Sequence, residues 1–177
     1  MIAVLSDLKR CFKETFSPRL DLVDIITVSA TNGPFVVREK FRKENTSVKF
    51  SCIDKAFREY FYGLTELLVP ERKFGCYVVK KYSKGMEIFE DLGGEKAVVR
   101  LSEIFFLLEK HEKAEESKEG SFIFYRGVQH LFYVRDVTGV VRSVYLFWFA
   151  EGWTISSVSF GEIFAWIGGD LVFAPMS

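Results

Sequence analysis

"VQHLFYVRDVTGVVRSVYLFWF", residues 128–149, decides the fold. From Val140 to Phe149 one face of an extended chain carries Val140, Val144, Leu146 and Trp148, and the other carries Val141, Tyr145, Phe147 and Phe149. A strand with one wet face alternates apolar and polar positions; this one is apolar on both, so it belongs inside a sheet covered above and below. "DVTG" (136–139) begins with Asp and ends with Gly, the residue choice of a type I turn, and predicts an antiparallel hairpin. If Asp136 pairs with Gly139, His130 lies opposite Tyr145; a slip of two sets it opposite Phe147.

Outward from this hairpin the period stays at two. "SFIFYRG" (121–127) precedes it, "AEG" (150–152) turns the chain into "WTISSVSF" (153–160), and "EIFAWIGGDLVFAP" (162–175) reads as a closing hairpin turned by Gly168, Gly169 and Asp170. Together these predict a β-meander over about 121–175. Further strands are expected in "GPFVVREKF" (33–41), "SVKFS" (47–51) and "KFGCYVVKKY" (73–82), with shorter ones in "MEIF" (86–89) and "KAVV" (96–99).

Three segments have a helical period instead. Met1, Leu5, Leu8, Phe12 and Phe16 form one stripe over about 1–16, stopped by Ser17-Pro18. Over about 51–69, Ile53, Ala56, Phe57, Tyr60, Phe61, Leu64, Leu67 and Leu68 share a side; Ser51 and Asp54 resemble a capping box, and Pro70 closes the helix. Over about 101–115, Ser102 can cap while Ile104, Phe105 and Leu108 face inward, before the chain dissolves into charge. Helices first and strands later, without a βαβ rhythm, predict α+β: three helices packed on a curled antiparallel sheet, in one domain spanning 1–177.

Composition narrows the function classes. Lys plus Arg and Asp plus Glu each number 24, so no net field draws in nucleic acid or an anionic membrane, and self-association meets little charge repulsion. Three scattered cysteines, Cys11, Cys52 and Cys76, with no CxxC spacing, read as reduced thiols. Without a long apolar run or a signal sequence, the expectation is a soluble, cytoplasmic protein. His111 and His130 are the only histidines and share no metal-binding spacing; Glu87, Glu90 and Asp91 read as a solvated turn; the glycine pairs at 93–94 and 168–169 read as turns and not phosphate loops. No metal and no cofactor are expected.

Three functions remain. The first is a non-catalytic domain that binds through an aromatic-rich sheet surface or an apolar pocket, with Tyr145, Phe147, Phe149, Trp153 and Trp166 as contact residues. Its partner is a second copy, another protein or a small apolar ligand. The second is a cysteine hydrolase or acyl transferase with a papain-like layout, in which Cys52 at a helix start is the nucleophile and His130 on a strand is the base. The third, disfavoured by the neutral charge, is single-stranded nucleic-acid binding through Tyr125, Arg126, Tyr133 and Arg135.

Overall fold

A computed structural model of the chain describes residues 19–31, 33–117, 124, 126–160 and 165–176. In order they form β1 (Leu20–Val28), β2 (Phe35–Val36), α1 (Val37–Lys40), β3 (Phe50–Ile53), α2 (Lys55–Phe61), β4 (Thr65–Glu66), β5 (Arg72–Val79), β6 (Ser83–Lys84), α3 (Gly85–Asp91), a 3-10 turn (Gly94–Ala97), β7 (Val98–Val99), α4 (Leu101–Ser117), β8 (His130–Arg135), β9 (Val141–Phe149), β10 (Gly152–Val158), β11 (Ala165–Trp166) and β12 (Leu171–Pro175). The class is α+β, with four α-helices among the described residues and an eight-stranded sheet in the order β1-β5-β12-β8-β9-β10-β3, with β7 also on β8. The expected helix over 1–16 lies outside the described residues.

The sheet is mixed and not wholly antiparallel. β8, β9 and β10 are an antiparallel meander, but β12 and β7 run parallel to β8 and β3 runs parallel to β10. The predicted closing hairpin is not formed: β11 pairs with β6 in a separate small sheet, and β12 inserts between β5 and β8. Apolar residues at 171–174 bury on both faces there, which a central position allows and an edge would not.

Covering layers lie on both faces of the sheet. One core joins Val144, Leu146, Phe132 and Phe173 to Phe41, Phe57 and Leu108 of the α1, α2 and α4 side. The other joins Leu131, Tyr133 and Val172 to Ile88 of α3 and Trp166 of β11, with Tyr145 and Phe160 packed against it. The two-sided middle of β9 is therefore sandwiched as its sequence requires. Cover runs out at its far end, where Phe149 is 63% exposed.

Several local expectations change for identifiable reasons. Ser51 and Cys52 lie on β3 and not at a helix start, because the Ser51 hydroxyl is engaged across the strand with Gly152 O (3.2 Å) and Thr154 Oγ1 (3.0 Å). The helix N-cap is Asp54, whose own N–H extends the pairing to Ile155 O. That helix stops at Phe61 in a tight turn, with Leu64 N–H on Phe61 O (3.0 Å), and beyond it the Glu66 carboxylate accepts the N–H groups of Leu101 and Ser102 at 2.8 Å each and so caps α4, the role expected of Ser102. Leu67 and Leu68 are left exposed. "MEIF" is part of α3, and "GPFVVREKF" yields only a two-residue strand followed by one helical turn.

The 136–139 turn forms as expected, with Gly139 N–H donating to Asp136 O (3.0 Å), but the strands pair one residue further on. Asp136 N–H bonds to Val140 O (2.8 Å), leaving a three-residue loop whose last member, Gly139, has φ +86°. Burial works to raise the Asp136 pKa, but bonds from Thr138 Oγ1, Arg142 Nε and the N–H groups of Thr138 and Val140 outweigh it and hold it at about 2. The one-residue slip places His130 opposite Leu146, on the other face of β9 from Tyr145 and Phe147.

The next turn is strained. Phe149 pairs with Gly152, so Ala150 and Glu151 form a two-residue loop, with φ +48° and +68° in the region that disfavours side chains. Ala150→Asn combined with Glu151→Gly is expected to stabilise the fold by about 1–2 kcal/mol, raising Tm by roughly 2–4 °C per kcal/mol. An unchanged thermal midpoint would contradict that strain. Gly152 must stay as it is, since a Cβ there would come within 2.7 Å of Ser51 N.

Candidate functional site

β9 is longer than the partner beside it. β8 pairs with β9 from Arg135↔Val141 to His130↔Leu146 and then departs, while Phe147, Trp148 and Phe149 continue along β10 alone. Where β8 begins, its other edge is held by the β12 side, with Gln129 N–H donating to Asp170 Oδ1 (3.1 Å) and Gln129 O accepting from Leu171 N–H (2.9 Å). Between the splayed segments lies a cavity of about 220 Å³ lined by Gly127, Val128, Gln129, Phe147 and Trp148.

The backbone at this cleft has a definite polarity. Antiparallel pairing alternates the side to which N–H and C=O point, and counting from the Asp136–Val140 bond directs those of Leu146 toward β8. Two residues on, those of Trp148 point the same way, where β8 supplies no ladder partner. Gln129 Oε1 is buried without a hydrogen-bond partner. Leaving a buried carbonyl unpaired costs about 1–3 kcal/mol.

Aromatic rings make up its back wall. The Arg126 guanidinium lies 4.3 Å from the centre of the Trp148 ring and pairs with Glu115 at 3.3 Å. Trp148 meets Trp153 edge-on at 5.3 Å, and the Trp153 indole N–H donates to Glu112 Oε1 at 2.7 Å. Burial raises the Glu112 pKa; the indole bond acts against it, and Glu115 and Glu116 add to it. Behind Trp153 sit both histidines. His111 Nδ1 accepts the Phe124 N–H (3.3 Å), and its pKa is lowered chiefly by burial, with Glu115 opposing and Arg126 assisting. His130 is fully buried against Phe124 (4.8 Å), Trp153 (5.8 Å) and Phe173 (6.2 Å). Its Nδ1 lies 3.2 Å from Leu146 O, and desolvation pushes its pKa down to about 3.

The structure does not bring Cys52 to His130. β9 and β10 separate β3 from β8, so three strand spacings of about 4.8 Å, roughly 14 Å, intervene. They also occupy opposite faces: His130 lies level with Leu146, Ile155 and Ile53, whereas Cys52 shares the parity of Thr154 and Phe147 and is exposed at the sheet edge. Of the nucleic-acid set, Tyr125 lies outside the described residues. Tyr133 is fully buried with its hydroxyl donating to Gly85 O (2.7 Å), Arg135 pairs with Glu95 and Gly139 O, and Arg126 lies over the Trp148 ring. Of the contact set, Trp153 and Trp166 are core residues; Tyr145 stacks on Phe147 and meets Trp166 edge-on; Phe147 and Phe149 remain accessible.

Trp148, Val128 and Gln129 were not among the expected contacts. The signal was in the hairpin itself: with the correct three-residue loop, a nine-residue strand outruns a six-residue one by its last three positions. The carboxylates at 87–91 are occupied locally, Glu87 accepting Lys84 N–H (2.8 Å) and Asp91 pairing with Arg19 (3.1 Å). Among the described residues no three His, Cys, Asp or Glu side chains converge, and no helix is long and apolar enough to cross a membrane.

The fold and cleft define an α+β domain with a wide mixed sheet whose central ladder opens at one end beside an aromatic wall. No protein-family model, curated protein or solved structure matches the chain.

Proposed function

We propose that the protein is a non-catalytic binding domain whose contact surface is the open end of the β8–β9 ladder. One observation carries this reading: β9 extends Phe147, Trp148 and Phe149 past its partner and leaves a cavity of about 220 Å³ beside them. The exposed Phe149 and half-buried Phe147 add apolar area at the mouth, as contact surfaces do. The burial of His130, with its pKa near 3, favours a structural part for the imidazole over that of a base working near neutral pH.

The test is an amide NMR titration of the isotope-labelled chain with indole, a small fused-ring aromatic probe. Shifts are expected at Gly127–Gln129 and Phe147–Phe149, and Trp148→Ala should weaken them by tenfold or so, the equivalent of about 1.4 kcal/mol. Shifts scattered over the surface, or none at millimolar indole, would overturn the reading. The same surface meeting a second copy is the other form of the proposal, favoured by the exposure of Phe149; light scattering over a dilution series would show a mass that falls on dilution and stays monomeric in Phe149→Ser.

A further inference from the structure

We infer that the cleft binds an extended apolar peptide by strand addition, one residue of which takes the ladder position that β8 leaves empty beside Trp148. This rests on the reading of the open ladder end as a contact surface, and names its ligand class. Two features converge on peptide chemistry. The Trp148 N–H and C=O face the cleft as a donor and an acceptor, the pair that an antiparallel strand residue satisfies. And about 220 Å³ falls short of the roughly 300–1,000 Å³ of cofactor and metabolite pockets, yet it holds one large apolar side chain.

Geometry sets the direction of entry. β10 already occupies the other side of Phe147–Phe149, so the peptide can pair only on the β8 side. Residues directly opposite in an antiparallel pair share a face, so its anchoring side chain falls on the same face as the Trp148 ring. Past this position the mouth is flanked by the exposed Phe149.

The probe is the blocked pentapeptide acetyl-Thr-Val-Phe-Val-Thr-amide, compared with the same peptide N-methylated at Phe and with indole, all against the full chain. The unmodified peptide should shift Gly127–Gln129 and Phe147–Phe149 and slow hydrogen exchange at the Trp148 amide. N-methylation, which removes one strand donor, should weaken binding by about tenfold. Equal binding of the two peptides, or no peptide binding while indole still shifts the cleft, would overturn strand addition and leave the contact surface standing. Failure of all three probes would sink both.

Discussion

Lowering the pH from about 7 to about 4 should cost the fold on the order of 3 kcal/mol through His130 alone. The imidazole is enclosed by Phe124, Trp153 and Phe173, and burial lowers its pKa from 6.5 to about 3, with nearby His111 adding to the shift and the Leu146 bond opposing it. The unfolded chain takes up a proton at its ordinary pKa, whereas the folded chain does so only near 3. The contribution is therefore complete above about pH 6.5 and is lost as the pH falls toward 3. His111, also depressed by burial, acts with the same sign, while Glu112, whose pKa burial raises, acts against both. Urea denaturation at several pH values should show stability falling between pH 6.5 and 4, and the slope should flatten in His130→Leu. An equally steep slope in that variant would place the acid sensitivity elsewhere.

The second large effect concerns Arg72. Glu103 opens α4 with a fully buried side chain, and its carboxylate is met by the Arg72 guanidinium and by Arg100 N–H (2.7 Å). Arg72 itself lies 5.3 Å from the centre of the Phe74 ring at the start of β5, opposite Val28 of β1. Removing it by Arg72→Leu strands a buried charge, and a loss of about 3–5 kcal/mol is expected, read as a lower urea midpoint. The double variant Arg72→Leu with Glu103→Leu should recover most of that loss, because an apolar pair of similar size needs no compensating charge. A single variant as stable as the parent would show that Glu103 finds other partners.

Patterns on single elements were legible in the sequence. The two-sided apolar middle of β9 demanded cover on both faces and received it from α4 and its neighbours on one side and from α3 with Trp166 on the other. Phe57 and Phe61 were recognisable as the buried stripe of a helix. Harder to see was β1, where the register shift between Leu22 and Asp24 breaks the period of two that would have marked "LDLVDIITV" as a strand. The candidate dyad failed to assemble because the position of Cys52 depends on a partner about a hundred residues away: Thr154 holds Ser51 in a strand, where the local pattern alone allowed a helix cap.

The cleft shows the same division at closer range. Its aromatic residues and the hairpin that bears them are local features, yet a single residue in register moved His130 to the other face, and the overhang at Trp148 arises because β8 begins only at His130. By itself the sequence determined the apolar faces of its longer strands and helices and the α+β class, because periodicity and turn chemistry act over a few residues; "MEIF", helical in α3, and β1 escaped that reading. Strand order, the parallel insertion of β12, the capping of α4 by Glu66 and the opening of the ladder were decided only by tertiary structure. Each depends on backbone or carboxylate groups meeting partners from elsewhere in the chain, and such a meeting leaves no period in the residues that make it.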